Sequence, residues 1–183
     1  MKNELQRLFL IFLAAIAVFV VLYAFWGPQG KKINLKEIEF STTNSSELYF
    51  KNIRSYFYDK EENADAKFVL YRINSREKDS SKLKLNFLLV NNWSMNECYL
   101  IAESNKENPS LKWKLEEEVG SIELEGENNR AHFIFGAELF EQLDRSADLW
   151  WIDSGAEKVL TEEEKSSLKT SLKDYFKLVG KLR

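Results

Sequence analysis

The feature of this sequence that most constrains its fold is an apolar run near the N-terminus, residues 8–26, which contains no charged side chain and no amide. Its nineteen residues would form an α-helix about 28 Å long, close to the roughly 30 Å hydrocarbon core of a bilayer. The run is apolar on all sides, whereas a helix in a globular core normally carries polar residues on one stripe. The sequence therefore predicts one N-terminal transmembrane helix over residues 8–26.

A cleaved signal peptide is the main alternative interpretation of this run. The apolar part of a signal peptide is typically about 7 to 15 residues long and ends in a small-x-small cleavage site. Here the run is longer and ends in Tyr23, Phe25 and Trp26. The rings of Tyr23 and Trp26 suit the headgroup boundary of a membrane, so the pattern favours an uncleaved anchor.

The orientation of the anchor is predicted from the lengths of its flanks. Positive side chains lie on both sides of it, Lys2 and Arg7 before and Lys31 after, so the positive-inside rule discriminates little. A short head, residues 1–7, followed by a long tail is the usual layout of a signal anchor. We therefore expect a single-pass protein of the cell membrane with its head in the cytoplasm. The domain that follows a short linker, residues 27–32, is then extracytoplasmic.

Composition bounds the size and the partners of the rest of the chain. Residues 33–183 are enough for one globular domain with a sizeable core and too few for two comfortable ones. The chain has 26 Lys and Arg against 29 Asp and Glu, so it lacks the basic excess that a nucleic-acid partner requires. Its single cysteine, Cys98, cannot form an intramolecular disulfide, so the core alone must hold the domain together.

Short alternations of apolar and polar residues dominate this domain and predict β-strands. The predicted strands are 33–41, 67–73, 83–90, 97–103, 111–115, 122–127, 130–135 and 149–152. Residues 47–59 fit a helix or extended chain, and their aromatic and β-branched content favours extended chain. Residues 60–66 are predicted as a charged loop. Because the connections are short, neighbouring strands must pair antiparallel.

Two helices are predicted in the second half of the domain. A short one covers residues 137–145, and a longer amphipathic one covers residues 161–182 and begins with a capping box of Thr161 and Glu164. Apolar residues recur in the longer helix at spacings of three and four, so one face should pack on the sheet. The predicted fold is therefore α+β, mainly antiparallel β arranged as a sheet or sandwich, with a C-terminal amphipathic helix.

Residues that commonly carry chemistry do not form a catalytic or metal-binding motif in this sequence. His132, the only histidine, lies in a predicted strand, where we expect a surface position. Cys98 lies in an apolar strand next to a glutamate, which should raise the pKa of its thiol, so a Cys98–His132 pair is disfavoured. Glu123, Glu125 and Glu127 alternate as on a solvated strand face. No catalytic residue, metal or cofactor is predicted.

Two groups of residues have the composition of a binding surface. Asn91, Asn92 and Trp93 follow an apolar strand and combine two amides with an aromatic anchor; the alternative is a turn whose tryptophan folds back over the core. Trp150 and Trp151 are adjacent in a predicted strand. One of them should therefore be buried, and the other should be exposed or covered by a partner. These five are the predicted binding residues.

Together these features predict a membrane-anchored accessory protein that contacts the lipid bilayer through residues 8–26 and binds a protein partner through a non-catalytic domain. A membrane-tethered enzyme is the alternative, a hydrolase whose acidic residues meet only in the fold. A carrier of lipids or small ligands is the second alternative, suggested by the aromatic content of 14%. Carboxylates that converge in a pocket would favour the enzyme. An exposed apolar patch would favour the binding domain, and a large internal cavity would favour the carrier.

Overall fold

A computed structural model of the chain describes Phe12 and residues 33–63, 67–79, 82–106, 108–153 and 156–182. The chain divides into two units, Met1–Lys31 and Lys32–Arg183, and apart from Phe12 the described residues belong to the second. No helix among them has both the length and the apolarity that crossing a membrane requires. The run 8–26 (except Phe12), the head 1–7 and the linker 27–32 lie outside the described residues.

The domain has an α+β fold, as the sequence predicts. Its elements in chain order are α1 (Asn44–Tyr49), a π-helical turn (Phe50–Arg54), a 3-10 turn (Ser55–Phe57), β1 (Tyr58–Asn63), β2 (Phe68–Ile73), β3 (Leu85–Asn92), β4 (Glu97–Ser104), β5 (Ser110–Leu115), β6 (Glu118–Glu123), α2 (Asn129–Asp144), β7 (Asp148–Asp153), β8 (Ala156–Val159) and α3 (Glu162–Leu178).

The strands form two four-stranded sheets, ordered β1-β2-β3-β4 and β6-β5-β7-β8. All pairings between these strands are antiparallel, as the short connections require. In the first sheet β2 and β3 have neighbours on both sides. The nearly continuous apolar character of residues 67–73 therefore correctly predicts an internal strand.

One hydrophobic core joins both sheets to α2 and α3. The register places Tyr71, Leu89 and Leu100 side by side on one face of the first sheet, and all three are buried. Helices α2 and α3 pack against this sheet and against each other. On the opposite face Arg72 binds Glu103, with a shortest nitrogen–oxygen distance of 2.7 Å.

Helix α3 confirms the predicted C-terminal helix. The Thr161 hydroxyl oxygen accepts a hydrogen bond from the Glu164 N–H at 3.2 Å, and the Glu164 carboxylate accepts one from the Thr161 N–H at 2.8 Å, which is the predicted capping box. The helix ends at Leu178, earlier than the predicted residue 182, because Gly180 adopts the left-handed conformation with φ of 69° that commonly terminates helices.

The predicted strand over residues 130–135 is wrong, because these residues begin helix α2. Asn128 is the N-cap of this helix, and its side-chain oxygen accepts a hydrogen bond from the Ala131 N–H at 2.9 Å. The apolar pattern of residues 130–135 does not indicate a helix, because α2 is buried on most sides and its apolar residues do not form a single helical stripe. The predicted helix 137–145 is confirmed as the second half of α2.

Predictions for the start of the domain are also corrected. Residues 47–57, favoured as extended, are helical, and β1 occupies most of the predicted loop 60–66. Residues 33–41, predicted as a strand, contribute only an isolated bridge from Ser41 to Glu97. The charged residues of β1 form a strand because they pair with β2. Their strand conformation therefore depends on tertiary context and not on local propensity. The sequence analysis also misses β8.

Candidate interaction surface

The helical segment 44–57, formed by α1 and the two turns that follow it, organises the candidate surface. Thr43 is the N-cap of the segment. Its side chain accepts a hydrogen bond from the Ser46 N–H at 3.2 Å, and the Ser46 hydroxyl accepts one from the Thr43 N–H at 3.1 Å. This reciprocal capping satisfies two backbone donors that a helix start leaves free. The segment ends at Phe57, where β1 begins.

The inner side of the segment 44–57 is attached to helix α3 and to the core. The Ser46 hydroxyl donates a hydrogen bond to the Leu178 carbonyl at 2.7 Å. Phe50 is 1% exposed and packs against the rings of Tyr58 and Tyr71, at centroid distances of 5.4 and 5.1 Å. Phe50 is the only side chain of the segment that is buried.

A buried carboxylate on α3 provides the strongest polar attachment of this segment. Asp174 is 5% exposed, and both of its oxygens accept hydrogen bonds from the Arg54 Nε–H at 2.9 Å. The Tyr58 hydroxyl donates a third hydrogen bond to it at 2.9 Å. Burial, together with the negative charge of Asp174, raises the pKa of Tyr58, so its hydroxyl stays protonated and remains a donor. These contacts fix the orientation of the segment.

With this orientation, the segment presents an apolar stripe, defined as Tyr49, Ile53, Tyr56 and Phe57. Their exposed fractions are 41, 53, 77 and 53%. Tyr49, Ile53 and Phe57 recur every four residues, and Tyr56 directly precedes Phe57. Phe50, the sequence neighbour of Tyr49, lies in the core instead.

Two cations lie against rings of the apolar stripe. The Arg54 guanidinium carbon is 4.8 Å from the centroid of the Phe57 ring, and the Lys177 amine is 5.8 Å from the centroid of the Tyr49 ring. Both distances are within the range of cation–π attraction. Asp174 neutralises Arg54, so the positive charge at the edge of the stripe is that of Lys177.

A surface pocket lies on another side of the same segment. This Trp93 pocket has a volume of about 320 Å³ and is lined by Asn44, Glu47, Leu48, Lys51 and Trp93. Leu48 is 59% exposed, so an apolar side chain and an indole ring are open to a partner. The remaining lining residues are polar, and they supply an amide and one charge of each sign.

The three residues predicted at this turn have different positions in the structure. Trp93 is half-buried, lines the pocket and packs edge-on against Tyr71 at a centroid distance of 6.4 Å. The side-chain oxygen of Asn92 accepts hydrogen bonds from the N–H and the hydroxyl of Ser94, at 3.2 and 2.7 Å, so it shapes the turn. Asn91 is fully buried, and neither of its amide atoms has a hydrogen-bond partner among the described residues.

The second predicted pair, Trp150 and Trp151, lies in β7 with the two side chains on opposite faces. Trp151 is 1% exposed and belongs to the core, whereas Trp150 is half-buried. Trp150 is paired with Val159 of the edge strand β8, and Val159 is itself exposed. Neither tryptophan of this pair lines the Trp93 pocket.

The expected surface position of His132 is corrected, and Cys98 is buried as expected. His132 is on α2 and is 7% exposed; its Nδ1 accepts a hydrogen bond from the Ala102 N–H at 3.2 Å. Burial lowers the pKa of His132. Burial, reinforced by the charge of Glu47, raises the pKa of the Cys98 thiol. Cys98 and Ala102 are separated by about 13 Å along β4, so the thiol and the imidazole are not paired.

A second surface pocket, beside β6 and helix α2, has an acidic lining. Glu123, Glu125 and Glu138 line a surface pocket of about 370 Å³. Burial, followed by the charges of Glu125 and Glu141, raises the pKa of Glu138. Within the ranges that the structure describes, no group of three His, Cys, Asp or Glu residues is placed to hold a metal ion.

Trp93 is predicted from the sequence, whereas the helical wall beside it and the apolar stripe are not. A signal for both is present in the sequence, since Thr43 and Ser46 have the spacing of a capping box and Tyr49, Ile53 and Phe57 recur every four residues. The contact of Leu48 with the Trp93 pocket joins residues 45 positions apart, which no local pattern indicates. No protein family, characterised protein or solved structure was found to match this chain.

Proposed function

We propose that this chain is a single-pass membrane protein whose folded domain is a non-catalytic interaction domain, binding a protein partner close to the bilayer surface. Residues 8–26 are the anchor, residues 1–7 lie in the cytoplasm, and the domain is extracytoplasmic. The length and the uniform apolarity of the run support the anchor. The six residues 27–32 span at most about 20 Å when extended, which keeps the domain near the membrane.

The observation that carries the binding role is the Trp93 pocket. An indole that is partly held by the core loses little conformational freedom on binding, and aromatic anchors of this kind dominate binding energy in protein interfaces. Glu47 and Lys51 in its lining supply charges that can select a partner by complementarity. The pocket lining therefore combines apolar, aromatic and charged side chains, as protein interfaces do.

Site-specific photo-crosslinking in native membranes tests the binding role. A photoreactive amino acid in place of Leu48 should form an adduct with a protein partner, and Trp93→Ala should reduce its yield about tenfold, as expected for a hot-spot residue. The matched control is the same amino acid in place of Val119, which is 66% exposed on β6. Equal adduct yields at the two positions, or a yield that Trp93→Ala does not change, would contradict the proposal.

Extraction of membranes with alkaline carbonate tests the anchor separately. A chain anchored through residues 8–26 should stay in the membrane pellet, because its span is buried in hydrocarbon. The control is deletion of residues 8–26, which should release the chain into the supernatant. Release of the intact chain would show that the anchor is absent.

A further inference from the structure

We infer that the apolar stripe is a membrane-contact surface, whose rings lie in the headgroup region of an anionic bilayer while Lys177 faces lipid phosphates. This inference rests on the proposed anchor, and it extends the proposal by assigning a lipid surface to a second side of the segment 44–57. The Trp93 pocket remains available to a protein partner, since Leu48 and Lys51 line it and the four stripe residues do not.

The exposure of the stripe to solvent is the first observation that favours a membrane contact. Four apolar side chains, Tyr49, Ile53, Tyr56 and Phe57, are exposed within nine residues, on a helical surface that would normally be polar if it faced only water. Their inward neighbours Phe50 and Arg54 hold the segment in place, so the exposure follows from a fixed orientation.

The composition of the stripe indicates a lipid interface. Tyrosine has an apolar ring and a polar tip, and it is enriched where hydrocarbon meets headgroups. Lys177 places a cation beside the ring of Tyr49, whereas the Arg54 guanidinium beside Phe57 is paired with Asp174. Interfacial helices combine apolar and basic residues in the same way, and each lysine or arginine near an anionic surface adds attraction.

The stripe belongs to the N-terminal part of the domain. The chain enters the domain at Ile33 and passes the C-terminal end of α3, where Lys181 lies 3.5 Å from Glu39 and Ser46 binds the Leu178 carbonyl. The stripe begins three residues after Ser46, so the first residues of the domain, the segment 44–57 and the C-terminal end of α3 lie together.

The shape of the surface favours lipid over a second copy of the chain or a protein partner. The stripe is the convex ridge of a helix, which can sink into a fluid headgroup layer without a matching groove. A protein partner would need a complementary groove to desolvate the same side chains. The concave surface on this segment is the Trp93 pocket.

Depth-dependent quenching on the full-length protein tests this inference. A single new cysteine is made by Tyr56→Cys or, as the matched control, by Val119→Cys, and each is labelled with an environment-sensitive fluorophore. Cys98 is fully buried, so labelling is selective for the new thiol. The proteins are reconstituted in vesicles of phosphatidylcholine and phosphatidylglycerol that contain a lipid with a headgroup-level nitroxide.

The label at position 56 should be quenched and blue-shifted, whereas the label at position 119 should report water. Lys177→Gln should weaken the contact about fivefold, because one cation near an anionic surface is removed. Omission of phosphatidylglycerol should weaken it as well. The inference would be overturned if the label at position 56 reported water, as the label at position 119 does, in a chain that carbonate does not extract. The proposed anchor would not be affected by that result.

Three other outcomes would also decide the question. Energy transfer between labels on different copies, without nitroxide quenching, would assign the stripe to a second copy of the chain and overturn the lipid assignment. Release of the intact chain by carbonate would overturn the anchor and this inference together. Quenching at position 56 that is lost in a Tyr49→Ser, Ile53→Ser, Phe57→Ser variant would support the inference, since the label then depends on the rest of the stripe.

Discussion

Helix α2 and the segment 44–57 are both rich in aromatic residues, and they use them in opposite ways. Ten of the sixteen residues of α2 are buried, whereas Phe50 is the only buried residue of the segment. Helix α2 forms the centre of the core. The segment is attached by a few contacts on one side, and its other apolar side chains are open to a partner.

The surroundings of α2 explain how completely it is buried. A Cβ atom at Gly136 would lie 2.5 Å from Leu100 Cδ2 on β4 and 3.0 Å from Leu172 Cδ2 on α3. Only glycine lets the helix approach both elements so closely. The segment 44–57 contains no glycine, and it meets α3 through hydrogen bonds and an ion pair. Burial here depends on the neighbours of an element more than on its composition.

The largest expected effect comes from removing a ring of α2. Phe133 is fully buried and packs against Phe40, Tyr175 and Phe176, with centroid distances of 5.5 to 6.1 Å. Phe133→Ala should lower the free energy of unfolding by about 3–5 kcal/mol, because it leaves a cavity in the core. Urea denaturation of the full-length protein measures this.

The matched control for this change is Phe57→Ala in the apolar stripe. Phe57 is about half exposed, so its loss should change the free energy of unfolding by less than about 1 kcal/mol. Similar losses for the two variants would mean that the stripe is covered within the protein. The contrast between the two helical elements would then be wrong.

A smaller effect is expected from the carboxylate that holds the segment in place. Asp174→Asn leaves Arg54 without a charged partner and weakens the acceptor of the Tyr58 hydroxyl. Since the Arg54 side chain is 23% exposed, water compensates part of the loss, and the cost should be about 2 kcal/mol, below that of a fully buried broken pair. Hydrogen exchange should become faster in the segment 44–57 while α2 stays protected.

The control for Asp174→Asn is a surface ion pair with similar geometry. Glu118 and Arg145 lie 2.7 Å apart, and the Glu118 side chain is 64% exposed. Glu118→Gln should leave stability unchanged, because exposed pairs gain little in water. Equal exchange in the segment and in α2 after Asp174→Asn would show that the two elements open together.

The same contrast explains how much of the structure can be predicted from sequence. The start of α3 is determined locally by Thr161 and Glu164, and β2 by its apolar run, so both are predicted. Residues 130–135 are interpreted as a strand because an element buried on most sides has no polar stripe to give a helical period. Residues 47–57 are wrongly predicted as extended chain, because most of their apolar side chains do not pack in the core.

The candidate surface is predictable to a similar extent. Trp93 is found from its position after an apolar strand, but the roles of its two neighbours are not. Asn92 has a turn-forming side chain, and Asn91 is buried because alternation along β3 points it to the core face next to Cys98. The wall formed by Leu48 depends on tertiary packing, which no short spacing encodes.

The smallest expected effect concerns the one titratable ring inside α2 and depends on pH. Burial lowers the pKa of His132 below its ordinary value of 6.5, against the opposing effect of Glu127. Between these two pKa values the unfolded chain binds the proton and the folded chain does not. Stability should therefore fall as the pH decreases from 6.5 through the folded pKa, by at most about 1.4 kcal/mol per pH unit.

Comparison with His132→Asn isolates this effect, since His132 is the only histidine and an asparagine oxygen can still accept the Ala102 N–H. Urea denaturation between pH 7 and 5.5 should show a steeper loss of stability for the natural chain than for the variant. Parallel profiles would mean that the imidazole takes up a proton without cost. Helix α2 would then be less enclosed at its first turn than the contact with Ala102 indicates, and closer in character to the segment 44–57.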